Sequence, residues 1–519
     1  MLDCVFGFGC PGLFLRMFVR RKKNRSGVIS IQIIDKSTGN SKVVKTIGNS
    51  SDPSIIEILV KEGEEWISKR KGELFFDFYN EHQLFTSFAN GIQQIHVSGT
   101  EQLLGKLYEE IGFHTIDDDL LKKLVIARLC FPVSKLKTID FLNKYHGIDV
   151  AVDRIYRYLD KLNKTQKEAV QKISYEHTVR ILNNQISMVF YDVTTLYFEI
   201  DDEDDLRKTG FSKDGKHQHP QIVLGLLVSV NGYPLAYDIF EGNKFEGHTM
   251  LPVINSFKKS YGLDKLVIVA DAGLLSNENI EQLTSQGYEY ILGARIKSES
   301  KLIKEKMLSL KLKNGDSAIV QKEDATQLVI SYSDARAKKD KANREKGLLK
   351  LEKQIKAGRL TKTHINNKGY NKYLKLEGDI NVSIDKIKAK ADKQWDGLKG
   401  YVTNTKLSKE EIIENYGHLW KIEKAFRISK TDLKIRPIFH RLQRRIEAHI
   451  CIAFIAYKIY KELERQLHIK ESHLSPEKAI EIAKTIYTIQ IITPNTKEKI
   501  NKTLILNDEQ KYLTHIFGL

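Results

Sequence analysis

Between residues 17 and 50 the chain alternates apolar and polar positions: FVRRKKN, then GVISIQII, then SKVVKTIG. A Ser-Thr-Gly-Asn stretch divides the last two runs, so the pattern predicts a β-hairpin with basic arms. Residues 53–73, PSIIEILVKEGEEWISKRKG, switch to a helical period with proline near the start. Helical spacing dominates 100–185, in TEQLLGKLYEEIGF, DDDLLKKLVIARLCF and VDRIYRYLDKLNKTQKEAVQKISYEHTVRIL. From 186 to 295 the period shortens. MVFYDVTTLYFEI, QIVLGLLVSVNG and YPLAYDIFEGN read as strands, and Asn231-Gly232 marks a tight turn between the last two. A helix (TMLPVINSFKKSYG), an apolar strand (LDKLVIVADAGL), a second helix (SNENIEQLTSQG) and a strand (YEYILGAR) follow. This succession predicts an α/β core with some antiparallel pairing.

Residues 296–400 are rich in lysine. They hold weak strands, SAIVQKE and QLVISYS, and a charged helical run, DARAKKDKANREKGLLKLEKQIKAG. From 408 helical spacing returns, opened by Ser408 with Glu411 three residues on, a capping-box pattern. Pro437 interrupts it, and RLQRRIEAHICIAFIAYKIYKELERQ reads as another long helix. The last fifty residues read as small helices.

A chain of 519 residues is long for one core and suggests about two to four domains. Lys and Arg total 83 against 66 Asp and Glu, a net charge of +17 that favours a polyanionic partner, most simply nucleic acid. Arg154, Arg157, Lys161 and Lys164 stand between apolar positions, as in a helix-turn-helix reader or in an ordinary helical layer with a solvated basic face. Cys4, Cys10, Cys130 and Cys451 are scattered with no Cys-x-x-Cys pair, which argues against a zinc module and fits a reducing compartment. The apolar start, MLDCVFGFGCPGLFLRMF, precedes its basic residues, the reverse of a secretory signal, and is too short and glycine-rich to span a membrane. Residues 1–16 are therefore expected to be an unstructured start-site extension ahead of Met17.

Two carboxylates occupy strand positions where isolated charge is costly: Asp192 inside one strand and Asp271 at the end of another. Brought together they would repel unless a cation lay between them. All-oxygen ligation favours Mg²⁺ or Mn²⁺, and two such ions about 4 Å apart suit phosphodiester chemistry. Glu423 is the candidate third ligand. Tyr416, Glu423 and Lys430 are seven apart and lie within about 40° of one helical stripe. Leu419 and Phe426 flank it, and periodicity alone favours a packing stripe built on those two.

Three motifs, YDVTTLYFE, VIVADAGLLS and YGHLWKIEKAFRISKTDLKIRPIFH, together resemble the DDE transposases of bacterial insertion sequences. The likeness is to the branch with a Tyr, Arg, Glu, Lys signature around the catalytic glutamate, and it covers roughly residues 186–465. It implies an α/β fold with an RNase H-like catalytic core over 186–296 and 401–465, interrupted by a mainly β insertion domain at 297–400. Around these would stand an N-terminal β-hairpin and helix region (17–99), a helical DNA-binding region (100–185) and a helical C-terminus (466–519). The catalytic acids match Asp192, Asp271 and Glu423, which would bind two Mg²⁺ or Mn²⁺ ions. Tyr416 and Lys430 match the signature Tyr and Lys as DNA contacts. The signature Arg falls at Leu419, leaving Arg427, Lys421 or His418 to supply that contact. Relatives hold a flipped base on an aromatic of the insertion, a role open to Trp395 if it is not a core residue. Implied partners are double-stranded DNA, as terminal inverted repeats and target, and a second copy of the chain in the synaptic complex. The implied location is the bacterial cytoplasm, at the nucleoid. A structure-specific nuclease on the same fold and a catalytically silent DNA-binding derivative are the rival readings.

Other features carry weaker expectations. DDEDD at 201–205 lacks calcium-loop spacing and reads as a solvated loop. His217 and His219 read as loop residues. Arg441, Arg444, Arg445 and His449 have helical spacing, as phosphate contacts or as a solvated face.

Overall fold

The computed structural model describes residues 17–519 except 26, 72–85, 87, 184–185, 213–214, 264, 323–325, 367–368, 378–380 and 494–496. The expected start extension, 1–16, lies outside the described residues. The chain divides into two compact units, 1–92 with 491–499, and 93–490 with 500–519.

In the first unit, β1 (Met17–Lys23), β2 (Ile29–Asp35) and β3 (Lys42–Ser50) form an antiparallel meander. The expected hairpin thus gains a strand, because the basic run MFVRRKK pairs in full register from Met17↔Asp35 to Lys23↔Ile29. Ile31, Ile33 and Ile34 of β2 are buried, as are Ile56 and Ile67 on the helix Pro53–Lys71 that packs on the sheet.

The second unit is organised by an eight-stranded sheet. Its strands are β5 (Met188–Tyr197), β6 (Gln221–Ser229), β7 (Pro234–Glu241), β8 (Val267–Ala270), β9 (Glu289–Gly293), β10 (Ser317–Gln321), β11 (Gln327–Tyr332) and β14 (Leu398–Thr403), in the order β10-β11-β14-β9-β8-β5-β6-β7. β5, β8 and β9 run parallel, and the remaining pairs are antiparallel. The Asn231-Gly232 turn joins β6 to β7, with Gly232 at φ 79°, where a side chain would be strained.

Alternation along β5 sends its residues into two cores. Val189, Tyr191 and Val193 pack with the helix Met250–Tyr261. Phe190 and Leu196 face the other way, into a core shared with the long helix Gln443–Ile469. That helix is buried at every position from Ala448 to Tyr460, where its sequence is mostly apolar. The helices between Lys106 and Ile181 complete this second core.

Two regional expectations need correction. The stretch 297–400 is not mainly β. Its longest element is the 23-residue helix Asp334–Lys356, whose Ala, Lys, Glu and Leu content favours helix. β10 and β11, with β14 across the 400/401 boundary, extend the central sheet, leaving β12 (Leu374–Glu377) and β13 (Asn381–Ile384) as a separate two-stranded sheet. Nor is the C-terminal stretch wholly helical. β15 (Tyr487–Ile492) and β16 (Lys499–Leu504) form a three-stranded sheet with β4 (Ile92–Val97), a pairing across almost the whole sequence that no local pattern announces. No helix among the described residues is long and apolar enough to cross a membrane.

Candidate active site

The two aspartates stand at corresponding places on adjacent parallel strands. Tyr191 of β5 pairs with Ala270 of β8. Asp192 and Asp271 are the next residues along, on strands about 4.8 Å apart. Because Tyr191 faces the core of the Met250–Tyr261 helix, alternation turns Asp192 to the face where the helix Trp420–Thr431 packs on β5. Asp192 is half-buried and Asp271 exposed. The Val193 N–H donates to Asp192 Oδ1 at 2.7 Å, and the Gly273 N–H donates to Asp271 Oδ1. Arg295, just beyond β9, donates to the carbonyls of Ala272 (3.0 Å) and Gly273 (3.3 Å), which braces the turn leaving Asp271.

Glu423 is exposed on the Trp420–Thr431 helix, while Ile422, Ala425, Phe426 and Ile428 bury that helix against the core. The Ser408–Glu411 capping box forms as expected and opens the preceding helix, Lys409–Gly417. The two helices are distinct. At His418–Leu419 the bonding tightens, with Leu419 N–H to Tyr416 O and Ile422 N–H to Leu419 O, both 3.1 Å. The seven-residue stripe is therefore not carried on one continuous helix. Tyr416 still comes within electrostatic reach of the acids. Burial first, then the charges of Asp271 and Glu423 along with Tyr401, push its phenol well above the usual tyrosine range, so it stays protonated. Gly293 makes room for it, since a Cβ there would collide with the Tyr416 hydroxyl.

Two cations not singled out in the sequence join this group. Lys399 on β14 places its Nζ 4.4 Å from the Tyr416 ring centroid and 5.3 Å from that of Tyr401. Burial and the charge of Arg336 lower the Lys399 pKa, and Glu423 opposes them. Arg336, on the helix Asp334–Lys356, donates from Nε to Leu398 O at 3.2 Å. A lysine within the strand LKGYVT raises the same question as an aspartate within MVFYDVTTLY, and that signal could have found it.

The remaining candidates disperse. Leu419 is buried in the core, so the position of the signature arginine points inward. Lys421 is drawn to Val230 O at 2.7 Å, and His418 lies edge-on to Phe190. Arg427 is exposed one turn beyond Glu423, with Lys430 half-buried further along. Trp395 is 8% exposed and packs in a core cluster, so stacking on a base would require it to be uncovered. His217 Nδ1 accepts from the Ser212 N–H at 3.2 Å. Asp204 accepts from the Leu206 and Arg207 N–H groups and from Arg207 Nε, a local loop brace. Arg444 and Arg445 both pair with Asp160, and His449 is buried.

The donors Asp192, Asp271 and Glu423 are carboxylate oxygens, the chemistry Mg²⁺ and Mn²⁺ take. The strand register places the two aspartates on neighbouring strands. Among the described residues no three Asp, Glu, His or Cys side chains converge as a ready-made ligand group.

A family model described as a transposase DDE domain matches residues 184–459. No curated protein matches the sequence significantly. Among solved structures, the chain is similar to a piggyBac transposase synaptic complex with hairpin DNA, at 10% identity and a TM-score of 0.37, over 77% of this chain and 79% of that one. It is also similar to a Mos1 transposase paired-end complex with left transposon end, at 13% identity and a TM-score of 0.16, over 44% of this chain and 66% of that one.

Proposed function

The chain belongs to the transposase DDE domain family, and on that premise we propose that it cuts DNA at the terminal inverted repeats of a bacterial insertion sequence and joins the freed 3′ ends to target DNA. The observation that carries this reading is the β5–β8 register, which makes Asp192 and Asp271 neighbours on parallel strands. The order β7-β6-β5-β8-β9, with β6 alone reversed between β5 and β7, supports an RNase H-like reading of the sheet.

In this proposal Asp192, Asp271 and Glu423 hold two Mg²⁺ or Mn²⁺ ions, which when bound supply the charge that activates an attacking oxygen and stabilises a leaving one. Hydrolysis breaks the bond between phosphorus and the 3′ oxygen, which leaves as a hydroxyl. In joining, that hydroxyl attacks a target phosphorus and displaces another 3′ hydroxyl, so no external energy source is required. The protein's own groups orient these events. The protonated Tyr416 hydroxyl is a hydrogen-bond donor within electrostatic reach of Asp271 and Glu423, suited to orienting groups bound between them. Arg427 and Lys430 offer positive charge to the incoming backbone, and Lys399 adds to it beside Glu423. Two ends must be held together, which implies a dimer on DNA at the nucleoid, and the +17 charge suits that partner.

Joining of pre-cleaved repeat ends with free 3′ hydroxyls to a target plasmid tests the reading. Glu423→Ala is expected to abolish joined product, and joining that survives it would remove Glu423 from the site. Nicking without joining by the parent protein would favour a nuclease instead. Tyr416→Phe keeps the ring packing, so it should cost about 1 kcal/mol or less in thermal unfolding. The same change should slow joining by about 10- to 100-fold, as loss of a group that orients metal ligands does. Unchanged joining would leave Tyr416 with packing alone.

A further inference from the structure

A cavity of 560 Å³ opens beside the first turn of the helix Lys135–His146, bordered by Tyr156 and by the segment that follows the Glu423 helix. None of Asp192, Asp271 and Glu423 lines it. Its walls carry Arg128, Lys135, Lys137, Lys434 and Arg436, and no described aspartate or glutamate. Arg128 and Lys135 are only 4% and 6% exposed. Arg128 Nε has no partner among the described residues, and Nη1 reaches only the carbonyls of Leu433 and Lys434, at 3.5 and 3.4 Å. Desolvated cations without counter-charges are costly, and burial with Arg128 beside it holds the Lys135 amine well below the usual lysine range, a cost that an anion bound there would relieve. Elsewhere this chain supplies the carboxylate: Arg344 has Asp396, Arg445 has Asp160 and Arg465 has Glu462.

The other groups facing the cavity add no negative charge. His449 donates from Nε2–H to Ile435 O at 2.9 Å. Burial, with Lys135 and Arg128 beside it, lowers the His440 imidazole to about 4. Ser134 caps the Lys135–His146 helix by accepting from the Lys137 N–H at 3.4 Å, and that helix end turns its positive pole to the same space. Apolar surface flanks the cations, with Tyr156 on one wall and Phe439, 66% exposed, on another.

We propose that this cavity binds the phosphate monoester of a nucleotide, with Arg128 and Lys135 on the phosphate oxygens and Tyr156 and Phe439 beside the attached nucleoside. A dianion matches two buried cations at a helix N-terminus, whereas a single carboxylate would leave one uncompensated. A phosphate in mid-duplex, flanked on both sides by sugars, cannot enter a pocket whose cations are so deeply buried. A terminal one can. Such a group comes either from a free nucleoside monophosphate or from a 5′-phosphorylated DNA end. The site is independent of the carboxylate reading.

The full chain is tested by thermal unfolding against inorganic phosphate, and by calorimetric titration with a deoxynucleoside 5′-monophosphate. Short single strands with and without a 5′ phosphate form the third arm. Phosphate should raise the unfolding midpoint saturably, and the nucleotide should bind more tightly than phosphate. Lys135→Met should weaken both by about tenfold or more, the scale of a lost charge-assisted bond. In phosphate-free buffer the same variant should melt no lower than the parent, because it removes a buried amine that has no ion pair among the described residues. A preference for the 5′-phosphorylated strand over the 5′-hydroxyl strand assigns the DNA end as the source. Equal strand affinities with nucleotide binding retained assign the free nucleotide. The proposal is overturned if the parent shows no saturable response, or if Lys135→Met melts lower without phosphate. It is equally overturned if Asp192→Asn removes the phosphate response, which would place the anion at the carboxylates.

Discussion

Replacing Asp192 by Asn is expected to abolish strand joining while the folded protein melts no lower than its parent. A carboxylate ligand contributes several kcal/mol of charge stabilisation in such chemistry, so the loss in rate should be on the order of 10³-fold or more. Stability should move the other way or not at all. Asp192 and Asp271 occupy matching places on parallel neighbours, and in metal-free protein their charges repel. Asn keeps the shape of the side chain and an oxygen for the Val193 N–H. The pair of measurements is a single-turnover joining assay and an unfolding midpoint in chelator. Normal joining would exclude Asp192 as a ligand, and a large drop in midpoint would make its role structural.

Acidification is expected to begin destabilising the protein before its carboxylates titrate. Burial is the leading cause of depressed imidazole pKa values at three sites: His146 and His440 fall to about 4 and His177 to about 3, from 6.5. Secondary causes are neighbouring basic groups: the His96 ring for His146, Lys458 for His177, and Lys135 with Arg128 for His440. A lowered folded pKa means that the unfolded chain binds these protons first. The stability contributed is complete above pH 6.5, and it is lost as the pH falls from there through about 4. Each well-buried imidazole contributes on the order of 2–3 kcal/mol at neutral pH, a large share of a marginal total. Urea unfolding at steps from pH 7 to 4.5 should show stability falling below 6.5, and a flat profile would contradict the burial of these rings. His177→Leu should flatten part of the slope.

The elements that position the aspartates were legible because their signals are local. MVFYDVTTLYFEI and LDKLVIVADAGL are short runs with strand composition, and each carries its acid at a place where packing alone has no use for it. The Asn231-Gly232 turn and the Ser408–Glu411 cap depend on a few adjacent residues and form as read. The insertion is instructive in the opposite sense. Its charged run was legible as helix from its own residues, and the expectation of a mainly β domain came from the resemblance instead. The grouping of Lys399 and Arg336 with Tyr416 and Glu423 was not legible, because it depends on β14 pairing with β9 and on the helix that starts just after β11. The break at His418–Leu419 was also hidden: both residues are compatible with a continuing helix, and tertiary packing of Leu419 decides the matter. Long-range pairing likewise decides β4 with β15, whose strands look ordinary in isolation.

The pairing of Tyr401 with Gly293, Val402 with Leu292 and Thr403 with Ile291 has a further consequence. Because β11 pairs along the other side of β14, the lysine-rich stretch is the lateral seal of this part of the sheet as well as a loop between its parts. Thr403 Oγ1 donates to Tyr290 O at 2.7 Å, and Asn404 Oδ1 accepts from the Tyr290 N–H at 2.9 Å, fastening the same seam. Excising residues 297–400 and splicing the ends would leave Tyr401, Val402 and Thr403 beside β9 but strip them of β11 on their other side, although all three are buried in the intact chain. The shortened protein would present an unsatisfied, apolar strand edge, a template for sticking to other copies. Trimming this protein to a minimal core therefore trades solubility for size, unless a replacement strand is grafted beside residues 401–403.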